Sequence, residues 1–220
     1  MSVSTFAPMA ERLVEAARYA LLRRLAPALR HNMAGSLQPI AMMAALLEKR
    51  LLKPSPDLQT LAKYSSSLGT TSREASALCM SLMSWMTPKN NDLTELGTGL
   101  AEAVALVTTE LSFRGFNLVN ETQGVQAKVA PGVVRDVFIA ALIALTDTAV
   151  APADVRVTTA ASDGQLLIEI AIVQTQGEAL PGAISSYRDL QWPDVQVLAD
   201  AESVVLTHTA ERAELRCQPA

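Results

Sequence analysis

LRHNMAGSLQPIAMMAALLEKRL, residues 29–51, is the stretch that decides the architecture. Its apolar positions Leu29, Met33, Leu37, Ile40, Ala44, Leu47 and Leu51 recur in steps of four, four, three, four, three and four. Steps of three and four keep side chains on one side of a helix. His31, one of two histidines in the chain, stands about 200° around the helix from Leu29 and from Met33. Gly35, Gln38 and Met42 follow it down the same outer face. A solvent-facing imidazole on a coiled-coil-like helix is placed to exchange a group with another protein. Taken alone, it reads as a surface histidine without a role.

Outward from this stretch, the helix is expected to begin near Pro8, bend at Pro27 and again at Pro39, and end at Leu52. Lys53-Pro54-Ser55-Pro56-Asp57 breaks it, and Ser55 or Asp57 caps the next helix. A second seam reads Leu58, Leu61, Ser65, Leu68, Ser72, Ala75, Cys79, Leu82 and Met86, in alternating steps of three and four. Pro88 and Asn90-Asn91 end it. Two long amphipathic helices joined by a short turn make a helical hairpin, and two copies make a four-helix bundle. Residues 10–87 therefore read as a homodimerisation module; the alternative is a monomer whose hairpin packs on its own C-terminal half.

The remainder, residues 92–220, has another pattern. The spacing predicts a helix over 92–114, strands over 116–121 and 125–129 around a turn at Gly124, and an apolar helix over 131–149 with Pro131 in its first turn. Strands over 155–160 and 166–173 are joined through Ser162-Asp163-Gly164. A helix over 189–201, interrupted by Pro193, and strands over 204–209 and 213–217 complete the chain. This order predicts an α+β protein whose second half is an α/β sandwich, with helices over one face of a mixed sheet.

Composition narrows the function classes. Half of the 220 residues are hydrophobic, 18% are charged and 4% are aromatic, which describes a folded, helix-rich chain packed through aliphatic side chains. A net charge of -4 and the lack of a basic cluster argue against nucleic-acid binding. Cys79 and Cys217 stand far apart, without zinc spacing, and Cys79 reads as a small core residue. Residues 1–12 lack the pattern of a secretory signal, and the longest apolar run, 137–145, is too short to span a bilayer. The expectation is a cytoplasmic protein without a membrane segment. His208 reads as a sheet-face residue, and Asp136 and Asp147 as solvent-face or capping residues.

These two segments in this order resemble a histidine kinase core, over roughly residues 25 to 217. In that family a dimeric helical hairpin carries the phospho-accepting histidine, and a following sandwich binds ATP. His31 falls where the family's histidine does. Leu37 and Ile40 match apolar positions of the motif, while Asn32 replaces its acidic residue, Gly35 its polar residue and Ser36 its proline. The second half departs further. Where the family's helix carries asparagines for magnesium and phosphate, this chain has Ala140 and Ala144. The strand that should lead to an adenine-reading aspartate runs into Val173-Gln174-Thr175-Gln176-Gly177, and Gly182 is isolated where a Gly-x-Gly loop is needed. Magnesium takes hard oxygen ligands, and triphosphate takes the backbone amides that glycine exposes. The resemblance thus implies a sandwich without ATP, as in the dimeric histidine phosphotransferases. Those relay phosphoryl groups between receiver domains of response regulators or hybrid histidine kinases.

On that reading His31 is the phosphoryl carrier, and magnesium comes with the partner's receiver domain, so no cofactor or metal of its own is expected. Arg30 could offset phosphate charge and Asn32 could orient the ring, although each also reads as an ordinary surface residue. Gly35, Gln38 and Met42 would form the partner-binding surface, Gly35 by letting a partner helix approach. Two other readings remain open from sequence: a non-catalytic dimeric adaptor that binds receivers or a kinase, and an ATP-dependent kinase with an unusual site.

Overall fold

The computed structural model describes residues 8–86, 92–122, 125–162, 164–177 and 188–220; side chains of 81, 82 and 84–86 are not described. The expected turn residues Pro88, Asn90, Asn91, Gly124 and Asp163, and the isolated Gly182, lie outside the described residues. The chain forms two compact units, Pro27–Pro88 and Met1–Ala26 with Lys89–Ala220. The expected boundaries, 10–87 and 92–220, place the start of the first helix differently. Residues up to Ala26 belong with the sandwich.

The hairpin unit holds most of α1 (Met9–Leu51) and all of α2 (Leu58–Met86). Helix α1 runs through Pro27 and Pro39 without a break in its helical assignment. Asp57 caps α2, accepting hydrogen bonds from the Gln59 amide at 3.0 Å and the Thr60 hydroxyl at 2.6 Å. The inner faces differ from the expected seams. On α1 the half-buried side chains are Leu29, Asn32, Ser36, Pro39, Ile40, Met43, Leu47 and Arg50, while Met33, Leu37, Ala44 and Leu51 are exposed. On α2 the inner residues are Leu61, Tyr64, Leu68, Thr71, Ala75, Leu78 and Cys79, and Leu58, Ser65 and Ser72 are exposed. Within one chain the helices meet along a face that admits polar groups. Arg50 lies over the Tyr64 ring at 5.4 Å. The apolar stripe around Met33 and Leu37 lies beside that face.

The sandwich unit has a five-stranded mixed sheet in the order β2-β4-β5-β7-β6, built from β2 (Phe116–Glu121), β4 (Ala153–Ser162), β5 (Gln165–Gln174), β6 (Val205–His208) and β7 (Arg212–Cys217). β2 pairs with β4 in parallel, and the other pairs are antiparallel. A small ladder joins β1 (Thr94–Glu95) to β3 (Lys128–Val129). Burial alternates along β5, with Leu166, Ile168, Ile170 and Ile172 inward, as a sheet with one covered face requires. The helix expected over 92–114 begins later, as α3 (Leu96–Phe113), because Thr94 and Glu95 are taken by the ladder to β3. The apolar helix expected over 131–149 starts as a π-helical turn, Val133–Phe138, and continues as α4 (Ile139–Thr148). Residues 137–146 are buried throughout. This all-round apolar sequence is a fully enclosed core helix. In α5 (Trp192–Ala201), Pro193 sits in the first turn, where a missing N–H costs nothing, so it starts the helix rather than interrupting it.

Helix α1 up to Ala26 is part of this unit. Ala17, Ala20, Leu21, Arg24 and Leu25 are buried, at the i, i+3, i+4, i+7, i+8 spacing of an amphipathic face. Two arginines of this segment, Arg18 and Arg24, end on carboxylates of the sandwich. Arg18 contacts Asp136 at 2.7 Å and Glu202 at 2.9 Å. Arg24 contacts Asp147 at 2.9 Å and also Glu110 of α3.

Candidate functional site

His31 sits mid-helix in α1 and is exposed, as are Arg30, Gly35, Gln38 and Met42. No described hydrogen bond or ion pair holds the imidazole of this exposed residue. His31 and Gly35 are one turn apart on the same face, and Gln38 and Met42 extend it. Met42 is 60% exposed, a large cost in apolar surface for a lone monomer residue. Asn32 does not join this group. It is half-buried on the inner face, and its carbonyl accepts a hydrogen bond from the Ser36 hydroxyl at 3.0 Å. Along α1 the nearest acidic residues to His31 are Glu15 and Glu48, so the imidazole lies in a long stretch whose only charges are arginines. An anion approaching here meets no like charge from this helix.

Gly35 has open space around it. A Cβ built there would meet nothing within 4 Å. Gly99 and Gly132 differ: a Cβ would fall 2.7 Å from the Thr94 methyl at Gly99, and would collide with the Glu202 carboxyl at Gly132. Those two glycines answer to packing inside the chain. Gly35 does not.

In the sandwich, the two alanines that the sequence resemblance sets against metal-binding asparagines are Ala140, 0% exposed, and Ala144, 1% exposed. They pack in the core and offer neither oxygen nor access. Val173 and Gln174 are exposed at the end of β5, and the Gln174 amide donates to the Val150 carbonyl at 3.1 Å. Among the described residues, no group of three or more His, Cys, Asp or Glu side chains is arranged to hold a metal ion. His208 is exposed on the edge strand β6 and stacks on Trp192, with ring centroids 3.9 Å apart and planes 7° from parallel. It is held as a sheet-surface aromatic.

Asp136 and Asp147 are not the solvent-face or capping residues expected from sequence. Asp147 lies between two guanidinium groups, those of Arg24 and Arg114, each at 2.9 Å. The Arg114 Nη1 contact is a charge contact without hydrogen-bond alignment, while its Nη2 donates to the Thr146 carbonyl at 2.8 Å. Burial opposes the Arg24 charge, but Asp147 and Glu110 outweigh burial and hold its pKa above the ordinary arginine value. Glu202 behaves oppositely. Burial and the neighbouring Asp136 charge raise its carboxyl pKa, and Arg18 offsets this only in part. A signal for these clamps was present in the sequence: Arg24 shares its helix face with Ala17, Ala20, Leu21 and Leu25, and an arginine on such a face needs a carboxylate partner.

The hairpin with its exposed histidine is followed along the chain by the five-stranded mixed sheet and its helices. Among solved structures, the chain is similar to the Acinetobacter baumannii histidine kinase AdeS, at 10% identity and TM-score 0.43, over 86% of this chain and 97% of that one. It is similar to a bacterial phosphotransferase at 14% identity and TM-score 0.38, over 98% and 99% of the two chains. It is also similar to the histidine kinase ThkA, solved in complex with the response regulator protein TrrA, at 11% identity and TM-score 0.45, over 100% and 69%. No family model and no curated protein matches the sequence. No helix among the described residues is long and apolar enough to cross a membrane.

Proposed function

We propose that this chain is a histidine phosphotransferase that relays phosphoryl groups between receiver domains through His31, without binding ATP. The observation that carries this reading is the His31 imidazole, exposed and unengaged on a hairpin helix with no acidic residue nearby along the helix. A neutral ring nitrogen attacks the phosphorus of a receiver's aspartyl phosphate. The P–N bond forms as the bond from phosphorus to the aspartate oxygen breaks. The carboxylate leaves with the electron pair, and the other ring nitrogen releases its proton to water. Reversal onto a second receiver completes the relay. Positioning and charge compensation supply most of such catalysis, and the receiver brings the magnesium. Arg30, Gln38 and Met42 border the approach, and Gly35 leaves it open. Asn32 is half-buried on the inner face of the hairpin, one residue beyond the ring.

The absence of ATP binding is supported by the buried Ala140 and Ala144, which leave triphosphate and magnesium without ligands on that helix. A homodimer through the hairpin is supported by the exposed Met33, Leu37, Leu46, Leu51 and Leu58, more apolar surface than a lone two-helix unit leaves to water. The proposed setting is the cytoplasm, with response regulators or a hybrid kinase as partners. A second reading, a non-catalytic dimeric adaptor, is favoured by Asn32 standing where the family has an acidic residue.

The test is incubation of the protein with phosphorylated receiver domains from the same organism. His31→Gln should abolish labelling and leave the oligomeric state intact, since an exposed side chain adds little packing. The label should be acid-labile and alkali-stable, as a phosphoramidate is, and calorimetry should detect no saturable ATP–magnesium binding below millimolar concentration. Equal labelling of His31→Gln would overturn the reading, and receiver binding without labelling would establish the adaptor.

A further inference from the structure

Residues 137–146 are enclosed throughout, and a helix enclosed all round needs a neighbour for each face. α3, α5 and β7 pack against this stretch. One further face carries Asp136, Ala140, Ile143 and Asp147, at i, i+4, i+7 and i+11. It ends in a carboxylate at each end, and α1 holds both. Arg18 reaches Asp136 at 2.7 Å and Glu202 at 2.9 Å, while Arg24 reaches Asp147 at 2.9 Å and Glu110 beside it. Between these arginines α1 buries Ala20 and Leu21, with Ala17 and Leu25 just outside them. The element that grips both ends of the α4 face is therefore the one that covers its apolar middle. Ala140, in that middle, is the position that the sequence resemblance sets against a metal-binding asparagine.

We propose that this face is a helix-binding groove, occupied by the chain's own residues 9–26. Its ligand is an amphipathic helix with an alanine–leucine face and two arginines six residues apart. The alanines let that helix lie close, and the arginines answer the four carboxylates Glu110, Asp136, Asp147 and Glu202. A sandwich without ATP ligands thus still has a ligand, supplied by the opening helix. The groove is independent of phosphotransfer at His31. Its occupant is separable from the fold beneath. Alanines bury little apolar area, Met9 and Leu13 stay 68% and 50% exposed, and the Arg18 side chain is 42% exposed, so water screens one of the two clamps. A segment held this way opens locally at lower cost than the strands.

Hydrogen exchange on the full wild-type chain tests the separable seat. In urea below the global transition, the amides of residues 12–25 should exchange as one group while those of β4 and β5 stay protected. Exchange of 12–25 only together with the strands would make the helix an integral part of the sandwich and overturn the inference. A fluorescent peptide of residues 9–26 tests the groove. It should bind Arg18→Ala/Arg24→Ala at least about tenfold tighter than wild type, whose own helix fills the groove. The same peptide with both arginines replaced by alanine should lose that binding. Equal binding to wild type and variant, or no binding to a variant whose strands remain protected, would overturn the inference. Arg18→Ala alone, which keeps the buried clamp, gives the same comparison if the double variant does not fold.

Discussion

Glu202 shows how one residue is read from its surroundings. Its carboxyl fills the space that a side chain at residue 132 would occupy, and it sits beside Asp136 and Arg18. Burial and Asp136 raise its pKa above the usual 4.5, so the folded protein holds this proton to higher pH than the unfolded chain does. Wild type therefore gains stability from Glu202 as pH falls from neutrality toward 4.5. Denaturant titrations across that window should show a smaller gain in Glu202→Gln. An identical slope for both proteins would rule out Glu202 as the source. Asp194 has the opposite sign. Hydrogen bonds from Arg188 depress its pKa below 3.8, and its contribution is lost only as pH falls through that lower value. The Glu202 cluster was not legible in the sequence, because Gly132, Asp136, Glu202 and Arg18 are brought together by the fold. His31 and its outward face were legible, because a helix fixes the angle between neighbours 29–42 without help from tertiary structure. Asn32 was misplaced for a related reason. The seam drawn through Met33 and Leu37 counted hydrophobicity alone, whereas the helices of one hairpin meet along Ser36, Pro39 and Met43.

At the scale of elements, the first part of α1 acts as a further helix of the sandwich unit, seated by arginine–carboxylate clamps. Arg24 is 6% exposed, and its carboxylate partner Asp147 is as deeply enclosed. Removing one partner of such a buried group leaves charge uncompensated. Arg24→Ala should therefore cost about 3 kcal/mol in urea unfolding. Arg24→Lys should recover only part of that, since an ammonium cannot bridge Asp147 and Glu110 with a planar fork. A cost below about 0.5 kcal/mol, the range of ordinary surface substitutions, would show that the clamp is not a stabilising contact. Strand and helix order in the sandwich was legible because alternation and helical spacing are local signals. The π-helical turn at Val133–Phe138 was not, since an apolar run looks the same wound either way. The placement of α1 was missed because its buried face mixes two leucines with alanines and Arg24, which carry weak hydrophobic contrast.

For the whole molecule, the exposed leucines and methionines of the hairpin predict a homodimer. Light scattering at micromolar concentration should return twice the 23.4 kDa chain mass, and a monomer at that concentration would refute it. Leu37→Glu, on the exposed stripe, should shift the equilibrium toward monomer without unfolding the sandwich unit. Two-part organisation was legible from the change of pattern near residue 90, but the true division was not. The sandwich unit is assembled from both ends of the chain, and the hairpin unit is one continuous piece. That difference has a consequence during synthesis. Arg18 finds its partner Glu202 only 184 residues later. On a ribosome, the hairpin can close soon after Pro88 emerges, while the opening helix waits for Glu110, Asp136 and Asp147 to be made and gains its contact with Glu202 last. Slow translation between Pro88 and Glu202 should therefore lengthen the time that helix is exposed to chaperones and proteases.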